Sequence, residues 1–133
     1  MSDVRILVPV DGSAVSERAL RFAAELSRRF SGELHVVHVT DAETEGSDLV
    51  VERAREILDE EGVVNEPSVS LDHELEFRAA DRIGEDIVEL ALDEGYDHVV
   101  MGHHGSGPVD RLILGSAAET VLRAGAVPVT VVP

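Results

Sequence analysis

The sequence predicts an α/β fold: a five-stranded parallel sheet, doubly wound, with helices on both faces. Three observations carry this. Short runs rich in valine, isoleucine and leucine recur along the chain, and between them lie stretches whose apolar residues return at helical spacing. The first run, Val4 to Val10, is nearly continuous in apolar character rather than alternating, as a central parallel strand buried on both faces requires. Glycines at Gly32, Gly62 and Gly95 close the first three helical stretches, the usual signature of a helix C-terminus. Strand and helix in alternation imply right-handed crossovers with helices packed on both sides of one sheet.

Taken in order, Val4 to Val10 forms the first strand, with Pro9 near its C-terminal end, where the missing donor is tolerated more easily than in mid-strand. Asp11-Gly12-Ser13 makes the turn, and Ser13 caps the helix that follows. Val15, Ala19, Phe22, Ala23, Leu26 and Phe30 give that helix one apolar face, and Gly32 takes its C′ position. Glu33 to Val39 is the second strand, joined by the polar stretch Thr40 to Ser47 to a helix over Asp48 to Glu61 with Val50, Ala54, Ile57 and Leu58 facing inward. Ser68 to Leu75 alternates, with Val69, Leu71, His73 and Leu75 on one face, which suits an edge strand. The third helix carries Ile83, Ile87, Leu90 and Ala91. Asp97 to Met101 is the fourth strand, Ser116-Ala117-Ala118-Glu119 reads as a capping box opening the last helix, and Val127 to Val132 is the last strand.

A length of 133 residues with 44% apolar content fits one domain with a real core. No apolar run is long enough to span a bilayer, and no basic n-region followed by an apolar h-region opens the chain, so a cytoplasmic protein is expected. The absence of cysteine removes disulfides, thiolate metal sites and thiol nucleophiles. Charge is the unusual quantity: 27 Asp plus Glu stand against 11 arginines and no lysine, for a formal net charge of −16. Such a surface repels nucleic acid and anionic membranes. The composition resembles that of halophilic proteins, and at 1 M salt a Debye length of roughly 3 Å screens the mutual repulsion of surface carboxylates and lets an acidic protein accept an anion.

The stretch that organises the chain runs from Met101 to Ser116. A strand end, a loop punctuated by Gly102, Gly105 and Gly107, and a helix N-terminus at Gly115-Ser116 are the parts of an anion cradle. Glycine permits positive φ and close approach of backbone to ligand, and phosphate is the expected guest. The spacing Gly102, two residues, Gly105, nine residues, Gly115-Ser116 resembles the nucleotide-binding signature of the universal stress protein family, in its ATP-binding branch. Val8-Pro9-Val10-Asp11-Gly12-Ser13 and Pro128-Val129-Thr130-Val131-Val132 also resemble that family's first and last strands. The resemblance implies a single universal stress protein domain over 1–133 with the adenine nucleotide alpha hydrolase-like fold. It further implies ATP (or ADP or AMP) as ligand and a homodimer through Val127 to Val132, a strand that also stands at an open edge of the sheet; Mg or Mn is expected because a triphosphate meets an acidic protein whose loop supplies one arginine and no lysine. The strand order 3-2-1-4-5 is the family's, and it also follows from placing the two ligand loops, after strands 1 and 4, side by side at a switch point. Where the family usually has Gly-x-Pro-Ala opening the third helix, this chain has Asp81-Arg82-Ile83-Gly84.

Asp11, directly after the first strand, can accept a ribose hydroxyl or hold a metal bridging phosphates; the alternative is an Asx-turn closing Asp11-Gly12-Ser13. Pro9 and Val10 precede it, and Val10, Val39 and Met101 end three strands and can form an apolar slot. By resemblance that slot flanks adenine, with Val39 lending its main chain, although core packing explains Val39 as well. Resemblance also puts Gly102, His104, Gly105, Gly115, Ser116, Ala117 and Ala118 around the phosphates and leaves His103 facing solvent. Ser116 can cap the helix and still donate its hydroxyl proton to a phosphate. At Ala117 and Ala118 the family often carries a hydroxyl that this chain lacks. Arg111, the one cation in the loop, can neutralise phosphate or pair with Asp110 or Glu119.

A histidine metal site is disfavoured, because His35 and His38 stand three apart on a strand and adjacent His103 and His104 cannot easily chelate one ion. The leading reading is a nucleotide-dependent stress or signalling module, without the Walker lysine of a dedicated hydrolase. A slow Mg-dependent ATPase using Asp11 and His104 and a nucleotide-free structural dimer are the alternatives. A response-regulator phosphoacceptor would need a lysine and an acidic pair that the chain does not have.

Overall fold

The computed structural model describes residues 4–38, 47–63, 69–72, 83–103 and 116–133. Its elements in chain order are β1 (Arg5–Val10), α1 (Ala14–Phe30), β2 (Glu33–His38), α2 (Ser47–Glu60), β3 (Val69–Asp72), α3 (Ile83–Glu94), β4 (His98–Gly102), α4 (Ser116–Ala124) and β5 (Val129–Val132). The strands form one parallel sheet in the order β3-β2-β1-β4-β5.

Alternation along the strands divides the interior into two cores. On one face Ile6, Val8 and Val10 of β1 and Leu34 and Val36 of β2 pack against Ala19, Leu20 and Ala23 of α1 and Ala54, Ile57 and Leu58 of α2. On the other, Leu7, Val37, Val99 and Met101 pack against Ile87 and Ala91 of α3 and Ala118 and Val121 of α4. Leu7, Leu34, Val36, Val37 and Ile57 are fully buried, and each such side chain contributes roughly 1.5–3 kcal/mol of transfer free energy. Among the described residues no helix is long and apolar enough to cross a membrane.

Two local readings of the sequence need correction. Phe22 and Phe30, expected on the inner face of α1, are 41% and 64% exposed. The helix presents Ala19, Leu20, Ala23 and Ala24 to the sheet instead, because small side chains let it lie close and push the rings to its flank. Gly32 does not hold the left-handed position that ends α1. Ser31 does, at φ 50°, while a Cβ on Gly32 would stand 2.7 Å from the Val4 carbonyl oxygen. Gly32 is thus required where the chain crosses the start of β1, and Glu33 N–H donates to that same carbonyl at 2.7 Å. The capping box read at α4 rests on the Ser116 side chain, which lies outside the described residues, and the Glu119 carboxylate accepts from Arg123 Nε, one turn on, at 2.9 Å. Gly62 (φ 76°) and Gly95 (φ 69°) do end α2 and α3 in the left-handed conformation. The segments 39–46 and 73–82, on which the linker, the end of the alternating strand and the start of the third helix were read, lie outside the described residues.

At the amino edge of the sheet a single side chain ties four segments. Arg5 of β1 donates through Nε to Glu33 at 2.9 Å, through Nη1 to the Glu94 carbonyl at the end of α3, and stacks 4.7 Å above the Tyr96 ring. Its own N–H donates to Asp97 Oδ2 at 2.9 Å, at the start of β4. Arg5→Lys retains the charge and loses the planar fork. It is expected to lower stability by about 1–2 kcal/mol, the sum of one cation–π contact and one hydrogen bond, as read from urea denaturation midpoints. A midpoint unchanged within error would show that the exposed ion pair is all that Arg5 provides.

Candidate functional site

β1 lies between β2 and β4. From β1 the chain leads to β2 on one side, and from β4 to β5 on the other, so the connections leaving the two adjacent strands diverge. In open parallel sheets a crevice forms at that reversal, beyond the strand C-termini. Here the register deepens it. β1 pairs with β2 through Val10↔His38, whereas its pairing with β4 comprises Ile6↔His98 and Leu7↔Val99 only. Pro9, which has no N–H to give either neighbour, falls beyond the last β4 pair, so the two strand ends part on that side.

The wall on the β1 side is a closed hydrogen-bond circuit. Asp11 Oδ1 accepts the Ser13 N–H at 2.9 Å, Ser13 Oγ accepts the Ser16 N–H at 3.2 Å, and Ser16 Oγ donates to the Ser13 carbonyl at 3.0 Å. The Asx-turn reading of Asp11 is therefore realised, and Ser13 caps α1 as expected. The turn uses one oxygen of an exposed carboxylate, so a second role for Asp11 is compatible with it. Gly12, at φ 87°, lies where a Cβ would meet Val50 of α2 at 2.9 Å.

On the β4 side Met101 is buried and Gly102 follows it. Gly102 does not adopt positive φ, which corrects its role as a flexible loop glycine. A Cβ there would stand 2.9 and 3.0 Å from the two Cγ atoms of Val15 and 3.2 Å from its carbonyl carbon, so Gly102 lets the first turn of α1 lie directly on the end of β4. His103 is half-buried rather than solvent-facing, and its N–H donates to the Val132 carbonyl at 2.9 Å. Ala118 is 2% exposed and packs in the core, which leaves only its backbone for a ligand; Ala117 is half-buried beside it. Pro9 and Val10 are buried at the end of β1. Val39, His104, Gly105, Gly107, Arg111 and Gly115 lie outside the described residues.

One residue of this edge escaped the sequence reading. His38, considered only as a metal ligand, is the last residue of β2, 3% exposed, and the register partner of Val10. Burial holds its imidazole pKa below the ordinary value, against the opposing pull of the Asp11 charge. The signal was present: a polar residue ending an apolar strand beside the expected switch point. Among the described residues no group of three or more metal-ligating side chains occurs.

A parallel sheet wound on both faces, with its switch point between β1 and β4, is a class of α/β domain that takes ligands beyond its strand C-termini. The profile of the universal stress protein family matches residues 4–133, and the chain belongs to that family. It is 33% identical over 144 residues to a universal stress protein of Methanocaldococcus jannaschii, covering 96% of this chain and 81% of that one. Among solved structures it is similar to a second M. jannaschii protein, at TM-score 0.76 and 25% identity over 99% of this chain and 96% of that one. It is also similar to the Archaeoglobus fulgidus universal stress protein in complex with dAMP, at TM-score 0.69 and 28% identity over the whole of both chains.

Gly102→Ala is expected to destabilise the protein by about 1–3 kcal/mol, the range of an overpacked core contact. Val15→Ala in the same chain removes both Cγ atoms and should recover part of the loss in the thermal midpoint. A single variant as stable as the parent would remove Gly102 from the packing and return it to the loop.

Proposed function

We propose that this chain is an ATP-binding universal stress protein, a module whose nucleotide occupancy alters its contacts with other proteins or with a second copy. The observation that supports this most is the convergence, at one crevice, of the Asp11 turn and the Met101-Gly102 strand end that leads into the glycine-spaced loop. The dAMP complex of the Archaeoglobus fulgidus relative supports an adenine nucleotide as ligand class. In this reading Pro9, Val10, Val39 and Met101 border the base, and Asp11 meets the ribose or a metal. Gly102, His104, Gly105, Gly115 and the backbone of Ser116, Ala117 and Ala118 receive the phosphates. A lone carboxylate suits magnesium or manganese, which commonly takes one protein carboxylate and completes its shell with phosphate oxygens and water. The metal would neutralise triphosphate charge beside a protein of net charge −16. That charge also fits a salty cytoplasm.

The second copy is proposed to join through β5. The strand lies at the end of the sheet order, all four of its residues are half-exposed and three of them are valine, and an open apolar edge of this kind tends to recruit another chain.

Titration calorimetry on Gly105→Val tests the site. A β-branched residue blocks backbone approach and disfavours positive φ. ATP affinity is expected to be lost with the thermal midpoint nearly kept, and in the parent a chelator should weaken ATP. Unchanged ATP binding in the variant would move the phosphates elsewhere, and unchanged affinity with chelator would mean that the backbone cradle suffices. Light scattering at molar salt and micromolar protein should give a dimer mass; a monomer there would refute pairing through β5.

A further inference from the structure

We propose that the second copy is received by an apolar seam, the open edge of β5 with Phe22 of α1 on one face of the sheet and Leu122 of α4 on the other, and that it docks antiparallel with Thr130 opposite its own counterpart. The inference rests on the proposed pairing through β5 and deepens it. On the first face Arg18 donates through Nε to the Pro133 carbonyl at 2.9 Å, which holds one flank of α1 over the end of β5. Phe22 stands one turn further along that flank and is 41% exposed. α1 runs against the strand direction, and a turn of about 5.4 Å spans between one and two strand residues of about 3.3 Å, so Phe22 is level with the middle of β5. On the second face Ala117 and Thr120 of α4 meet Gly84 of α3, while Ala118 and Val121 face the core. At about 3.6 residues per turn Leu122 then falls on the flank away from α3, where α4 packs on β5, and it too is 41% exposed.

The strand between these two side chains is open in its backbone. The carbonyls of Pro128 and Val132 accept from Val99 and His103 at β4, both at 2.9 Å, so these residues and Thr130 between them turn their main-chain groups inward. Successive strand residues turn theirs to opposite sides, and Val129 and Val131 therefore present N–H and C=O at the edge. A two-fold axis opposite Thr130 pairs Val129 with Val131 of the second copy and the reverse, each pair exchanging both bonds. The two Thr130 residues then form the non-hydrogen-bonded pair between them. Charge favours a second copy here. Two chains of net charge −16 approach at least cost where acids are absent or paired. Val129 to Val132 carry none, and the acid beside each apolar anchor has an arginine one turn on: Glu25 meets Arg29 at 2.9 Å on α1, and Glu119 meets Arg123 at 2.8 Å on α4. Phe30, more exposed at 64%, lies two turns beyond Phe22 and past the start of β5.

Sedimentation of a dilution series at molar salt measures the dimer constant of the parent, Phe22→Ser, Leu122→Ser and the control Phe30→Ser, with circular dichroism on the same preparations to confirm folding. Each anchor variant is expected to weaken the dimer about tenfold or more, in the range of a truncated interface anchor, and Phe30→Ser to stay within about twofold. Thr130→Cys reports the register independently. The chain has no cysteine, and a non-hydrogen-bonded antiparallel pair, with Cα atoms about 4.5 Å apart, admits a disulfide. A disulfide-linked dimer on a non-reducing gel after mild oxidation is the expected result. Cross-linking without loss of affinity in both anchor variants, or an equal loss in Phe30→Ser, overturns the seam and leaves pairing through β5 standing. A parental dimer that Thr130→Cys does not cross-link overturns the docking register and the inference with it. A parent that stays monomeric at molar salt overturns both the inference and the pairing. Should a serine variant not fold, alanine at the same position also removes the anchor, and the same tenfold loss is expected of it.

Discussion

Val15, in the first turn of α1, lies so near the end of β4 that Gly102 has no room for a side chain, and this contact holds the helix that follows β1 over the strand next to β1. The same device recurs where Gly32 passes the Val4 carbonyl and where Gly84 meets α4. Each contact joins segments far apart in sequence at backbone distance, and each lies at an end of a strand or helix rather than along its length. Side-chain packing fills the two cores between them and supplies most of the energy. The clearances decide something else, the offset of each element along its neighbour. Close-packed interiors tolerate little error in that offset, which is why a crevice at the strand ends can keep a fixed shape.

Electrostatics adds comparatively little to the hold. Arg53 of α2 donates to Glu17 of α1 and to Glu56, each at 3.1 Å, and Arg21 of α1 meets Glu60 of α2 at 2.6 Å. The hydrogen bonds that Arg53 donates to Glu56 and Glu17 raise its pKa, and the one that Glu60 accepts from Arg21 lowers that of Glu60. These groups are solvated, and pairs of this kind are individually weak and weaken further in salt. With 27 acids against 11 arginines, at least 16 carboxylates have no arginine to themselves (27 − 11). The fold therefore rests on apolar burial, to which Ile6, Leu7, Val8 and Val10 of β1 and Leu34, Val36 and Val37 of β2 contribute.

Much of this architecture is legible in the sequence because it depends on period. Val4 to Val10 reads as a buried strand, Ala54, Ile57 and Leu58 as a helix face, and Ser13 as a cap, since each requires only neighbours in the chain. Properties that depend on which elements meet are not legible. Nothing near Gly102 in sequence indicates that Val15 will occupy the space of its Cβ, so the glycine reads as loop flexibility. Gly32 is mistaken for a left-handed cap for the same reason, its neighbour being Val4. Phe22 has the right spacing for the core of α1, yet the closeness of that helix to the sheet, set by its alanines, leaves no space for a ring. Glu119 reads as half of a capping box, and its pairing with Arg123 one turn later is something that pattern does not announce. His38 is passed over because one polar residue at a strand end is ordinarily a boundary marker. Its burial follows from the α1 and α2 face covering it.

The turn that opens α1 at the crevice is built from the chain's own groups: the Ser13 N–H goes to Asp11, the Ser16 N–H to Ser13 Oγ and the Glu17 N–H to the Ser13 carbonyl at 3.1 Å. The Asp11 carboxylate therefore stands at the positive end of that helix, where the dipole favours its charge and where a second anion would meet repulsion. A negative group at the helix entry and a bonded Asx-turn support each other, because the orientation that satisfies the Ser13 N–H is also the one that places the charge on the helix axis side. The result is a wall of fixed shape that presents the remaining carboxylate oxygen of Asp11 at the crevice.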